Sequence, residues 1–141
     1  MITFWKNKKV IVTGAGGFIG RSLCLTLNKQ GAKVTAVSHK PVTFPNLSNL
    51  QLRTADLTDI SQIDSILDDH VIVIHCAALD GGRDFKIKFA NTIFQTNVLI
   101  NDNLITSMKK KNIEKFIFIS SAEVYQGIIT NKRIKEDDFK L

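Results

Sequence analysis

Lys9-Val10-Ile11-Val12-Thr13-Gly14-Ala15-Gly16-Gly17-Phe18-Ile19-Gly20 is the stretch whose reading decides the fold. Three consecutive β-branched apolar residues, Val10 to Val12, run directly into a glycine-rich turn. Beyond the turn, Phe18, Ile19, Leu23, Leu25 and Leu27 recur at mixed three- and four-residue spacing, which predicts a helix. Strand, tight loop and helix in succession make the first half of a βαβ unit. Gly14, Gly17 and Gly20 fall on every third position. One glycine lets the chain turn at the strand end, one lets backbone approach a pyrophosphate, and one lets the helix pack closely. The helix N-terminus then presents N–H groups and partial positive charge to phosphates. The stretch therefore predicts a dinucleotide-binding half-domain.

The remaining chain extends this pattern. Gln30-Gly31 stops the first helix, because glycine takes the left-handed conformation there. Val34 to Val37 predicts a second buried strand, and Pro41 to Asn49 a polar, proline-interrupted connection. Leu50 to Thr54 reads as a third short strand and Ile60 to Leu67 as a helix that Asp59 can cap, with Asp56 in the same turn. Val71 to Ile74 is a continuous apolar strand of the kind covered on both faces. It leads into Cys76, Ala77 and Ala78, whose small side chains leave room for a ligand at the strand's C-terminal edge. His75 reads as structural. Leu79 to Lys88 reads as a loop overhanging that edge, where Arg83 and Lys86 face either substrate phosphates or solvent. A long helix is expected over about Asn91 to Lys110, ending at Lys111-Asn112 with the asparagine as cap. Phe116 to Ile119 is a fifth buried strand. The expected fold is α/β: one Rossmann-like three-layer αβα sandwich over residues 1–141, with a parallel sheet in the order 3-2-1-4-5 and right-handed crossovers.

The residues after the second strand bear on cofactor choice. An Asp or Glu there would bond the ribose hydroxyls and select NAD. The chain instead carries Ser38-His39-Lys40. No carboxylate repels a 2′-phosphate, and a hydroxyl, an imidazole and an ammonium can each contact one, so NADP is favoured over NAD.

Composition excludes several other classes. The 141 residues, 44% hydrophobic and 23% charged, are those of a globular protein of about one domain. No apolar run is long enough to span a bilayer, and Met1 to Lys6 lacks a signal-peptide layout, so a cytoplasmic location and no membrane partner are expected. Cys24 and Cys76 suggest no disulfide framework and read as core fillers in a reducing compartment. The net charge of +6 is scattered, and Lys109 to Lys111 stand at a helix end, where the dipole favours cations. Without an aromatic-interleaved basic stripe, no nucleic acid is expected as partner. No metal site is expected.

The G-x-G-x-x-G fingerprint begins at Gly14-Ala15-Gly16 but fails at Ile19, and the spacing realised is G-x-x-G-x-x-G. Thr13 to Gly20 in this spacing resembles the extended short-chain dehydrogenase/reductase superfamily, in its NAD(P)-dependent sugar-nucleotide epimerase/dehydratase branch. The resemblance implies that Gly14, Gly16, Gly17, Phe18, Ile19 and Gly20 hold the cofactor with Ser38, His39 and Lys40. It implies that Asp56 accepts the adenine amine while the Leu57 backbone completes that contact. Cys76, Ala77 and Ala78 correspond to the segment beside the nicotinamide ribose. Asn97, within Gln95-Thr96-Asn97-Val98, corresponds to a buried central-helix asparagine that holds a water or the sheet backbone near the catalytic residues. Asp80-Gly81-Gly82 resembles the NADP-linked GDP-fucose synthase group.

Ser120-Ser121-Ala122-Glu123-Val124-Tyr125 matches the branch's Ser-Ser-x-x-x-Tyr signature. Ser121 takes the catalytic serine/threonine position, its hydroxyl bonding a sugar oxygen whose charge develops during hydride and proton transfer. Glu123 corresponds to a position that is acidic in the dehydratases. The acid usually beside it is replaced by Ala122, which argues against a 4,6-dehydratase. Tyr125 is a packing residue. The family's Tyr-x-x-x-Lys pair is missing, since Tyr125 is the only tyrosine and position 129 is Ile. That pair and the C-terminal sugar-nucleotide domain are expected past Leu141, so the resemblance covers the N-terminal half of a family member. Three readings compete: the NAD(P)-binding part of a nucleotide-sugar enzyme, a stand-alone dinucleotide sensor, and a remnant whose glycine loop serves packing. Without a sixth strand the fifth is an unprotected edge, so self-association is expected.

Overall fold

The structure, a computed structural model, describes residues 4–121 and 135. Strands β1 (Lys9–Thr13), β2 (Lys33–Ser38), β3 (Leu50–Thr54), β4 (Ile72–His75) and β5 (Lys115–Phe118) form one parallel sheet in the order β3-β2-β1-β4-β5. Helices α1 (Phe18–Lys29), α2 (Ile60–Ile66), α3 (Arg83–Lys88) and α4 (Ala90–Met108) complete the described chain. This is the Rossmann-like order expected.

Two cores follow from the alternation of side chains along each strand. Val10 and Val12 of β1 enter one core with Cys24 and Leu27 of α1, while Ile11 enters the opposite core with Ile63 of α2 and Leu104 of α4. Strand β4 divides the same way: Ile72 and Ile74 go to the α1 side, and Val73 to the α2 and α4 side. A strand apolar at every position is what two covered faces require. Each such fully buried side chain contributes roughly 1.5–3 kcal/mol, which makes β1 and β4 the axis of the sandwich.

Val12 lies in register with Ala36 on one side and Ile74 on the other. From β1 the chain moves outward to β2 and β3, then returns to β4 on the far side. The loops leaving β1 and β4 therefore diverge, and a crevice opens at the C-terminal ends of those strands.

Local signals explain the element ends. Gly31, at φ +87°, carries the chain out of α1 and donates to the Asn28 carbonyl. Asp59 caps α2 by accepting from the Ser61 amide at 2.9 Å, as its position suggested.

Three segments depart from expectation. Residues 79–88 are not wholly a loop, because Arg83–Lys88 coils into α3 with Asp84 in its first turn and Lys86 and Lys88 in its last, charges that suit the helix dipole. Helix α4 ends at Met108, short of Lys110. Asn112 does not cap it: its amide donates to Asp69 Oδ1, and its carbonyl accepts from the His70 amide. Lys110 reaches across to Asp64 of α2 at 2.7 Å. Strand β5 is not fully buried; it stands at the sheet edge, with Phe116 38% and Phe118 52% exposed. Among the described residues, no helix is long and apolar enough to cross a membrane, and no cluster of three His, Cys, Asp or Glu forms a metal site.

Candidate functional site

The glycine loop forms the floor of the crevice. Gly14 turns at φ +70°, and a Cβ placed on it would lie 2.7 Å from both the Ala77 nitrogen and the Cys76 carbonyl carbon. No other residue type fits where β1 and β4 part. A Cβ on Gly20 would overlap the Gly14 carbonyl, so this glycine lets the first turn of α1 close onto the loop. The Ala15 amide bonds the Val37 carbonyl and the Gly17 amide the Gly14 carbonyl, each at 2.9 Å. The next three amides, of Phe18, Ile19 and Gly20, have no protein acceptor among the described residues. Helix α1 also has no side-chain cap and no acid in its first turn. It thus leaves donors and dipole directed at the crevice mouth, where an anion would satisfy them. Phe18 is 95% exposed and Ile19 about half-exposed, so neither packs the helix face as their spacing suggested; what they offer the site is backbone.

The end of β4 is held by a buried polar chain. Thr13 Oγ1 and His75 Nδ1 are 2.6 Å apart, and His75 Nε2 and Asn101 Oδ1 of α4 are 3.0 Å apart. Thr13 Oγ1 also accepts from the amides of Cys76 (3.2 Å) and Ala77 (3.3 Å). Burial holds the His75 imidazole below its ordinary pKa, opposed by its bond to Asn101. Burial likewise raises the Cys76 thiol and pushes Cys24 up to about 12, so both cysteines stay protonated.

The opposite wall comes from the ends of β2 and β3. Ser38 is buried and its hydroxyl donates to the Lys40 carbonyl at 2.7 Å, so it forms the turn and keeps only acceptor capacity toward a ligand. His39 and Lys40 are the groups of that trio left facing the opening. Across from them, Asp56 Oδ1 accepts from the Thr58 hydroxyl (2.7 Å) and amide (2.9 Å). These bonds, aided by nearby His39, hold its carboxyl below the usual carboxylate range. Asp56 thus belongs to a turn and also stays ionised, with Oδ2 unbonded among the described residues. Asn103 of α4 fixes this turn from behind, donating to the Thr58 and Leu57 carbonyls.

Together these elements enclose about 610 Å³, lined by glycines 14, 16 and 17, residues 38 to 40, Asp56, Leu57 and residues 76 to 78. The family pattern described as NAD dependent epimerase/dehydratase matches residues 10–139. The chain belongs to that family. It is 30% identical to a dTDP-4-dehydro-6-deoxy-D-allose reductase from a Streptomyces species over 96% of this chain and 44% of the relative. An epimerase from Methanothermobacter thermautotrophicus superposes with a TM-score of 0.81 at 21% identity, over 97% of this chain and 42% of that one. A UDP-glucose-4-epimerase from Stenotrophomonas maltophila, solved with NAD and formylated UDP-arabinopyranose, superposes at 0.72 with 25% identity, over 84% and 38%. The chain spans less than half the length of the curated relatives it matches.

Asn97 does not line the crevice. It clamps the loop after β4, accepting from the Leu79 amide (2.7 Å) and donating to the Leu79 carbonyl (3.0 Å), so it grips loop backbone where sheet backbone or a water was expected. Lys86 pairs with Asp80 at 3.0 Å. Ser121 is exposed beyond the end of β5, while Glu123 and Tyr125 lie outside the described residues. Sequence reasoning passed over Thr13, Asn101 and Asn103, the polar residues that brace the site from below. A threonine ending an otherwise apolar strand, and asparagines spaced along one helix, were the signals available.

Proposed function

We propose that this chain is the cofactor-binding part of an enzyme acting at a sugar carbon of a nucleotide-linked sugar, with NADP favoured over NAD. A bound nicotinamide dinucleotide would supply hydride exchange. The chain's own residues bind and orient it. The unpaired amides of Phe18, Ile19 and Gly20 receive a diphosphate, Asp56 accepts an adenine amine, and His39 and Lys40 meet a 2′-phosphate. The small side chains at 76–78 admit a ribose beside β4. Ser121 donates a hydrogen bond to the reacting sugar oxygen. The single observation carrying this reading is the row of unpaired first-turn amides over a crevice whose β2 wall holds cations and no carboxylate.

Titration of the protein with NADPH and NADH tests it. NADPH should bind with a dissociation constant below about 1 mM, worth roughly 4 kcal/mol, and more tightly than NADH. Absence of saturable binding by either dinucleotide overturns the reading. Because the sequence holds no Tyr-x-x-x-Lys pair, this chain alone is expected to bind without turnover. That same observation favours a second reading, a non-catalytic dinucleotide sensor, which an encoded continuation carrying the pair would overturn. Self-association belongs to the proposal as well. Strand β5 is an edge with apolar side chains exposed, among the described residues, and a second copy is the expected cover.

A further inference from the structure

The connection from β2 to β3 has no helix, yet it supplies one wall of the crevice through His39, Lys40 and Val42. Among the described residues, a single hydrogen bond reaches the segment 41–46: Arg21 Nη1 donates to the Thr43 carbonyl at 2.8 Å. The same guanidinium stacks over the Phe44 ring, 4.7 Å from its centroid, and Phe44 in turn packs against the core on the α1 side. Val42 is thereby held over the glycine loop, close enough that a Cβ on Gly16 would meet its Cγ1 at 3.0 Å.

Arg21 occupies an unexpected place for a cation. It lies in the first helical turns of α1, where the dipole disfavours positive charge, and its side chain is exposed. A residue that breaks a local rule points to a compensating role. The planar fork of arginine can bond a carbonyl and stack on a ring at once, which the point charge of lysine cannot do.

We infer that Arg21 is a positioning residue for the adenosine end of the site: bonded to Thr43 and stacked on Phe44, it holds residues 40–44 shut against the glycine loop. This rests on the dinucleotide reading above. Without the clamp, Val42 leaves Gly16 and Lys40 loses its fixed place at the crevice mouth. The ligand class affected is any adenosine bearing a 2′-phosphate, whether or not a nicotinamide is attached.

The test compares wild type, Arg21→Ala, Arg21→Lys, Phe44→Leu and the Arg21→Ala/Phe44→Leu double variant. Each is titrated calorimetrically with NADPH and with adenosine 2′,5′-bisphosphate, and hydrogen exchange is followed in residues 39–49. Arg21→Ala should weaken both ligands by the same factor, roughly tenfold, and speed exchange in that segment without speeding it in β1. Arg21→Lys should resemble the alanine variant, and the double variant should lose no more than the worse single one. If Arg21→Ala fails to fold, Phe44→Leu with its exchange pattern carries the same expectation. Unchanged exchange, full rescue by lysine, or a loss in Arg21→Ala that Phe44→Leu does not share overturns the inference, the last by showing direct contact with the ligand. A wild-type protein that binds neither ligand overturns the dinucleotide reading itself and this inference with it.

Discussion

Thr13 Oγ1 lies 2.6 Å from His75 Nδ1, and this contact fixes the protonation of a buried network. His75 Nε2 faces Asn101 Oδ1 at 3.0 Å, so with the amide oriented this way Nε2 carries the hydrogen and Nδ1 is an acceptor. The Thr13 hydroxyl must then donate to Nδ1, which leaves its oxygen to accept from the Cys76 and Ala77 amides. Donor and acceptor capacity is matched throughout. One hydroxyl at the end of β1 thus bends the chain after β4 and shapes the crevice floor.

Replacing Thr13 by Val keeps the shape and removes all of these bonds. The buried His75 Nδ1 and the Ala77 amide are left without partners, each a desolvation cost, while the Cys76 amide keeps the Thr13 carbonyl as acceptor. Thr13→Val should lose about 3 kcal/mol, read from the midpoint of urea denaturation, whereas Thr13→Ser should lose about 1 kcal/mol through its missing methyl. Equal losses for the two variants would mean that packing, not hydrogen bonding, sets the role of Thr13.

A pH dependence follows from the same network. Burial lowers the His75 pKa below its ordinary value of 6.5, so between its folded and unfolded pKa values the unfolded chain binds more protons. Stability from this group is fully present above about pH 6.5 and is lost as the pH falls below it. Protonation would also place a second donor against the Thr13 hydroxyl. Denaturation midpoints measured from pH 8 to pH 5 should fall below pH 6.5 in the wild type. In His75→Phe, less stable overall, the same interval should be flatter.

The glycines separate folding from binding. Gly14→Ala must adopt φ +70° and press a methyl into the Cys76–Ala77 backbone, so it should destabilise the fold by at least about 2 kcal/mol. Gly17, at φ −80° and ψ 170°, has an ordinary extended conformation, and its added Cβ would stand 3.3 Å from the Gly14 carbonyl, at the crevice mouth. Gly17→Ala should therefore melt within a few degrees of wild type while weakening NADPH roughly tenfold or more. Thermal melts paired with titrations distinguish the two. Full affinity in Gly17→Ala would count against a diphosphate lying over the loop.

The parts legible in the sequence were those written in local pattern. Two-sided burial of Val10 to Val12 and of Val71 to Ile74 fixes two adjacent central strands. The loop glycines mark the turn between β1 and α1, and the sheet order follows from the doubly wound pattern that this strand, turn and helix belong to. What escaped was set by contacts distant in sequence. The partnership of Thr13 with residue 75, or of Arg21 with residues 43 and 44, has no periodic signature. Asn97 was noticed through resemblance, but its grip on Leu79 depends on where the loop after β4 lies. Sequence alone leaves the Ser38 hydroxyl open to a phosphate. Its turn to the Lys40 carbonyl is a two-residue bond that serine forms readily, and short-range side-chain competition of this kind is hard to see without coordinates.

The proposed preference for NADP over NAD rests on Lys40. With the Ser38 hydroxyl proton directed at the Lys40 carbonyl, discrimination at the β2 end falls to the His39 imidazole and the Lys40 ammonium. A 2′-phosphate carries most of two negative charges at neutral pH, so reversing the charge at residue 40 replaces attraction with repulsion at that one group. Lys40→Glu should weaken NADPH about tenfold, near 1.4 kcal/mol for an exposed pair, and should change NADH by less than about twofold. Raising salt should shrink the difference, because exposed charges are screened. A Lys40→Glu protein that loses NADPH and NADH equally would place residue 40 against a part that both ligands share.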